Sequence, residues 1–163
     1  GASTASFCKY FKNAKIFGID RNFKFKYKSK NITFIQCDLR SKKDLKRLSN
    51  KLYGKKFKII VDDGSHILTH IIKNIIFFIH YIEQGGYFII EDFNLPRDYN
   101  HLNDAKNKEL LIDQILNNIE KKKYFKSDIL SKPKQKYLFE TIENIYIYKG
   151  ETKDSNIAFI KIR

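Results

Sequence analysis

The chain contains no tryptophan and no methionine, only two cysteines and two prolines, and few arginines. Each shortage removes a class of protein. Cys8 and Cys37 lie inside apolar-patterned segments, so they read as reduced, buried thiols of a cytoplasmic protein rather than a disulfide framework. No apolar run approaches the roughly 18–20 residues that span a bilayer. The first residues lack the basic region and long apolar run of a secretory signal. Arginine is confined to Arg21, Arg40, Arg47, Arg97 and Arg163, and the lysines are spread along the chain. No basic stripe with interleaved exposed aromatics results, and the nearest approach is RNFKFKYKSK at 21–30. The net charge of +14 therefore reads as compositional bias, because Lys, Asn, Ile, Phe and Tyr are abundant together. A nucleic-acid partner is not expected.

What is present suits a globular protein. The 163 residues are 42% hydrophobic, which predicts one domain over 1–163 with a sizeable core. No internal repeat or domain boundary interrupts it. The pattern allows a helix over 3–12, a short apolar strand over 14–20 and a second strand over 31–38. Ser41 to Tyr53 reads as a helix, with Ser41 as cap, Asp44 at the capping-box position, a Leu45, Leu48, Leu52 stripe and Gly54 as stop. A third strand covers 57–63. A helix over 67–82 follows, with Ile71, Ile75, Phe78 and Ile82 on one stripe. A glycine turn then leads into a fourth strand, 85–92.

Strands alternating with helices predict an α/β fold: a Rossmann-like, mostly parallel sheet with helices on both faces. After Asp92 the texture changes. Residues 93–107 are polar and loop-like, 108–121 is an amphipathic helix, and 126–137 is polar again and contains Pro133. ENIYIYKG and NIAFIKIR, joined by ETKDS, predict a C-terminal antiparallel hairpin.

Every strand of the alternating region ends in acid: Asp20, Asp38, Asp62 with Asp63, and Glu91 with Asp92. In open parallel sheets ligands bind at those ends. Asp20 fits the two hydroxyls of a nucleoside ribose, with a turn or helix cap as the plainer alternative. Asp38 could meet an adenine amino group, with the same alternative. The strands before Asp63 and Glu91 flank one helix, so they are expected side by side, about 4.8 Å apart. Asp63, Glu91 and Asp92 then crowd one edge, where a proton or a hard cation must relieve their repulsion. His66, on the turn entering the helix, is a candidate base beside them. His70 and His80 read as surface or packing residues, and His101 as part of a loop.

IIVDDGSH followed by GGYFIIEDF resembles the class I S-adenosylmethionine-dependent methyltransferases, and more narrowly the metal-dependent sugar O-methyltransferases of macrolide biosynthesis. The resemblance runs from about Gly1 to Phe93. It implies that Asp63, Glu91 and Asp92 hold magnesium and that His66 is the general base. It further implies that Asp20 binds the ribose of S-adenosyl-L-methionine, that Asp38 lies near its adenine, and that Asp62 borders the cofactor. That family has a first strand and a glycine-rich loop ahead of the position of Gly1. GASTAS resembles the tail of that loop, which places Gly1 and Ser3 among the cofactor-binding residues and implies an N-terminally incomplete domain. The implied partner is a small-molecule or glycan acceptor, and a homo-oligomer is compatible with the sequence. Two rivals from other classes are an RNA methyltransferase and a non-catalytic nucleotide-binding domain.

Overall fold

The computed structural model describes residues 2–22, 29–105, 108–152 and 155–163. These fall into two compact units, Gly1–Tyr53 and Gly54–Arg163. The sequence marks the junction only by the helix-ending Gly54.

In the first unit, helix α1 (Ala2–Tyr10) precedes strands β1 (Ile16–Asp20) and β2 (Ile32–Gln36), which pair in parallel with Asp20 opposite Gln36. Gly18 is demanded here by close approach, since a Cβ would lie 2.8 Å from the Phe34 ring. Helix α2 (Lys42–Leu52) is capped as expected: Ser41 Oγ accepts from the Asp44 N–H at 3.3 Å. The reciprocal half of the capping box does not form. The Asp44 carboxylate accepts instead from the backbone N–H of Asp38 at 2.9 Å, tying the end of the β2 segment to the helix. Leu48 and Leu52 are buried, and Gly54 ends the helix at φ +70°. Cys8 and Cys37 are free and buried.

The second unit is built on a four-stranded sheet, ordered β3 (Phe57–Asp62), β4 (Ile82–Glu91), β6 (Asn156–Ile162), β5 (Ile142–Lys149). β3 and β4 are parallel, while β6 is antiparallel to both β4 and β5. The alternating region pairs in parallel as expected, and the antiparallel pairings come from the C-terminal hairpin. The hairpin forms as predicted, but it attaches through its second strand. Helix α3 (Leu68–Phe78) buries Ile71, Ile75 and Phe78 of the expected stripe, together with Leu68 and Ile72. It ends earlier than its pattern suggests. A 3-10 turn over Ile79–Tyr81 closes it, and Ile82 already pairs with Phe57 in the sheet.

Two further differences lie after β4. Residues read as loop contain a short helix α4 (Leu95–Asp98) and a 3-10 turn over Asn100–Leu102. Helix α5 (Ile112–Glu120) begins later than Lys108, with the Leu111 N–H bonded to Gln114 Oε1 at 3.1 Å. The stretch 126–137 is not irregular throughout, because helix α6 (Lys132–Thr141) starts within it. Pro133 lies in the first turn of α6, where a missing N–H costs nothing. Buried Gln135 anchors α6 by donating to the carbonyls of Phe125 and Leu130 at 2.8 and 2.7 Å. Among the described residues, no helix is long and apolar enough to cross a membrane.

Candidate functional site

The second unit carries the acid ends of β3 and β4. Their register sets Asp62 opposite Ile90, so the chain leaves the sheet at Asp63 beside Glu91. Apolar residues carry β4 into the core, where Phe88 and Ile90 are fully buried, while β3 stays partly exposed. The acids that follow stand at the sheet's carboxyl end.

Asp62 is the most enclosed of them. Burial raises its carboxyl above the ordinary carboxylate value, and the Asn74 amide opposes this by donating from Nδ2 to Oδ2 at 3.0 Å. Asn74 is itself buried on the apolar face of α3. Gly64 keeps the turn tight, since a Cβ there would lie 3.0 Å from Asp62 Oδ1. Asp62 is therefore built into the fold.

Asp63, Glu91, Asp92 and His66 form the outer group. Glu91 is raised above its ordinary value first by burial, then by the neighbouring charges of Asp63 and Asp92, with His66 opposing. Those influences place Asp63, Asp92 and His66 each within electrostatic reach of Glu91. His66 Nε2 stands 3.7 Å from Asp63 Oδ1, an ion-pair distance beyond hydrogen bonding. His66 and Asp92 both have left-handed backbones, at φ 53° and 51°. Asp92 Oδ1 accepts from the Ser155 hydroxyl at 2.8 Å, across a sequence separation that no local pattern could reveal.

The donor set suits a hard cation, being carboxylate oxygens with mutual repulsion to relieve. The oxygens stand apart rather than forming a cage. Among the described residues, no three His, Cys, Asp or Glu side chains gather as a metal-holding group. Asp63 faces His66 and Asp92 is held by Ser155, so each has a separate partner.

The remaining histidines take other roles. His70 Nδ1 lies 2.8 Å from Ser65 Oγ, which braces the turn of the DDGSH segment rather than leaving His70 a plain surface residue. His80 packs against Tyr81 with ring centroids 4.0 Å apart, and burial lowers its pKa. His101 is exposed in the 3-10 turn after α4.

In the first unit, Asp20 closes β1 and is exposed; its Oδ1 accepts from the Asn22 N–H at 2.9 Å in a tight turn. Asp38 is committed more heavily. Arg40 Nε donates to its Oδ1 at 2.8 Å, Arg40 Nη2 to its Oδ2 at 2.6 Å, and the Arg40 backbone N–H to its Oδ1 at 3.0 Å. These bonds hold the carboxyl well below the usual carboxylate range. The turn alternative for Asp38 is thus what the geometry displays, and an adenine contact requires Arg40 to let go. Ser3 is exposed on α1. Gly1, and residues 23–28 of the basic segment, lie outside the described residues.

Comparison with known proteins agrees with this frame. The sequence profile of the FtsJ-like methyltransferases matches residues 1–136. Mycinamicin VI 2''-O-methyltransferase of Micromonospora griseorubida is 32% identical over 92 residues, 56% of this chain and 23% of that protein. The chain thus spans about a quarter of the length of that relative. The MycE methyltransferase of the mycinamycin biosynthetic pathway, solved with Mg and SAH, aligns over 99% of this chain and 40% of its own at 21% identity and a TM-score of 0.74. A protein described as a ribosomal RNA methyltransferase from Plasmodium falciparum aligns over 99% of this chain and 80% of its own at 20% identity and a TM-score of 0.56. These structural likenesses establish the fold and do not choose an acceptor. With the profile covering most of its length, the chain belongs to the FtsJ-like methyltransferase family.

Proposed function

We propose that the chain carries the chemistry of an S-adenosylmethionine-dependent O-methyltransferase that methylates a hydroxyl of a sugar or glycosylated small molecule. The observation that carries this reading is that Asp63 and Glu91 leave two adjacent parallel strands side by side, with Asp92 and His66 also acting on Glu91. The identity to the mycinamicin 2''-O-methyltransferase supports the choice of acceptor class.

When bound, the sulfonium cofactor supplies an activated methyl group, and a divalent ion supplies charge that orients and acidifies an acceptor hydroxyl. Asp63, Glu91 and Asp92 are the residues that would hold the ion. Asp20 offers a carboxylate to ribose hydroxyls. The His66 imidazole accepts the proton of the acceptor hydroxyl, and Asp63 Oδ1, 3.7 Å away, favours the resulting charged ring. Asp62, held by Asn74, fixes the turn from which His66 projects. Because the donor is already activated, positioning supplies much of the rate.

Methyl transfer to glycosides, followed with and without a chelator, tests this reading. Activity should require a divalent ion and collapse in His66→Ala, while that variant keeps its affinity for S-adenosylhomocysteine. Full activity in excess chelator removes the metal from the reading. An Asp20→Ala variant that binds the cofactor as tightly as the parent removes the ribose assignment. A second reading is methylation of RNA. That reading requires affinity for RNA that falls steeply with salt.

A further inference from the structure

One contact at the site comes from far along the chain. β6 lies beside β4, with Ile157 opposite Glu91. The residues just before β6 therefore meet the residues just after β4. Two bonds join them. The Ser155 hydroxyl donates to Asp92 Oδ1 at 2.8 Å, and the Asn156 N–H donates to Asn94 Oδ1 at 3.0 Å. Between these acceptors the chain turns sharply, with Asp92 at φ 51° and the Leu95 N–H bonded to the Asp92 carbonyl at 3.1 Å.

The hairpin is shaped to make this contact. Gly150 closes it by donating its N–H to the Ser155 carbonyl. A Cβ at Gly150 would lie 2.7 Å from that carbonyl oxygen and 2.8 Å from both Cβ and Oγ of Ser155. Such distances are too short for any side chain, so the glycine is what lets Ser155 sit where its hydroxyl reaches Asp92.

We propose that Ser155 is a positioning residue, which holds the Asp92 carboxylate from the β5–β6 hairpin so that Oδ2 is left to a divalent cation. The inference rests on the metal reading given under Proposed function. A hydroxyl bonded to one oxygen of a carboxylate limits its rotation, and partners of this kind are typically worth 10–100-fold in metal affinity. Asn94 and the Asn156 N–H fix the turn on the other side.

Manganese titration by isothermal calorimetry, with thermal melts of the metal-free proteins alongside, tests the proposal. Ser155→Ala should weaken manganese binding by about 10-fold or more. Ser155→Thr, which keeps the hydroxyl, should bind within about 3-fold of the parent. Gly150→Ala keeps the serine but displaces it, and should weaken binding in the same direction as Ser155→Ala. Metal-free Ser155→Ala should melt near the parent, which separates positioning from general damage. A parent that binds manganese while Ser155→Ala binds it equally well overturns the role of Ser155, as does a Ser155→Thr variant as weak as Ser155→Ala. A parent that binds no manganese overturns the metal reading and this inference with it, and that failure is visible in the parent alone.

Discussion

Asn74→Asp reverses a single bond beside the site. Asn74 Nδ2 now donates to Asp62 Oδ2 at 3.0 Å. The substitution keeps the size of the side chain and replaces the donor with a second carboxylate. The lost bond to a charged acceptor is worth about 1.5–3 kcal/mol. Two carboxylates about 4 Å apart repel by on the order of 4 kcal/mol at an effective dielectric of about 20. The pair limits that repulsion by keeping one proton, which also restores a donor between them. Keeping it near pH 7, against an ordinary carboxylate value of 3.8, costs about 1.4 kcal/mol per pH unit, or about 4 kcal/mol. The expected loss of stability near neutral pH is therefore about 4 kcal/mol. Its sign with pH follows from linkage. Burial already raises Asp62 above 3.8, and a second carboxylate in place of the Asn74 donor should raise the pair further, so stability should fall as pH rises from 3.8 toward the raised value and return on acidification. Burial raises Asp62 in the parent with the same sign, so the quantity to measure is the gap between parent and variant. Urea unfolding in chelator, near pH 7 and near pH 5.5, should show that gap narrowing by about 2 kcal/mol at the lower pH. A gap that does not change with pH, or a variant as stable as the parent near neutrality, refutes the reasoning.

Three other substitutions have defined outcomes. Glu109→Ala removes a buried carboxylate that accepts from Ser127 Oγ and from the N–H groups of Asp128 and Ile129, and should cost about 3 kcal/mol or more in urea unfolding. Gly86→Ala places a Cβ 2.7 Å from the Lys58 carbonyl oxygen, so it should cost about 1–3 kcal/mol and speed amide exchange along β3. His66→Gly should be more stable than His66→Ala by about 1 kcal/mol, the reverse of the usual order of these two residues, because His66 sits at φ 53°. Paired denaturation curves of the two variants decide it.

Much of the fold is legible because burial writes itself into local pattern. The apolar runs before Asp20, Asp62 and Glu91 all form strands, although β4 is deeply buried while β1 and β3 stay partly exposed, and the stripe through Ile71, Ile75 and Phe78 is a helix face. What escapes is decided by partners distant in sequence or by choices between equal local options. Ile82 continues the helical stripe and suits a strand equally; pairing with Phe57 takes it. Pro133 breaks a helix or begins one, and the buried bonds of Gln135 select the second. ETKDS fixes a hairpin but not which of its strands joins β4. The site divides in the same way. The DDGSH and IED segments announce their acids, whereas Asn74 follows Lys73 on α3 and is set apart only by its burial against Asp62. The capture of Asp38 by Arg40 depends on rotamers, and Ser155 depends on β6 lying against β4, so neither can be read along the chain.

The backbone supplies an independent argument for the same residues. Among the described residues, three that are not glycine have positive φ: His66, Asp92 and Lys122. Lys122 follows the end of α5 and donates its N–H to the Ile119 carbonyl, an ordinary way to finish a helix. His66 and Asp92 finish no helix. Each bends the chain just past a strand end, at about 1–2 kcal/mol relative to glycine. Glycine would bend the chain there without strain, as it does at Gly54 and Gly85. Keeping an imidazole and a carboxylate at the two strained positions is therefore a cost without a structural return in the turns themselves. The return must come from the side chains. His66 opposes the raised pKa of Glu91 and faces Asp63, while Asp92 is steadied from the β5–β6 hairpin by Ser155. Strain and electrostatics thus select the same turns that the acid-ended strands select, and the two arguments share no premise.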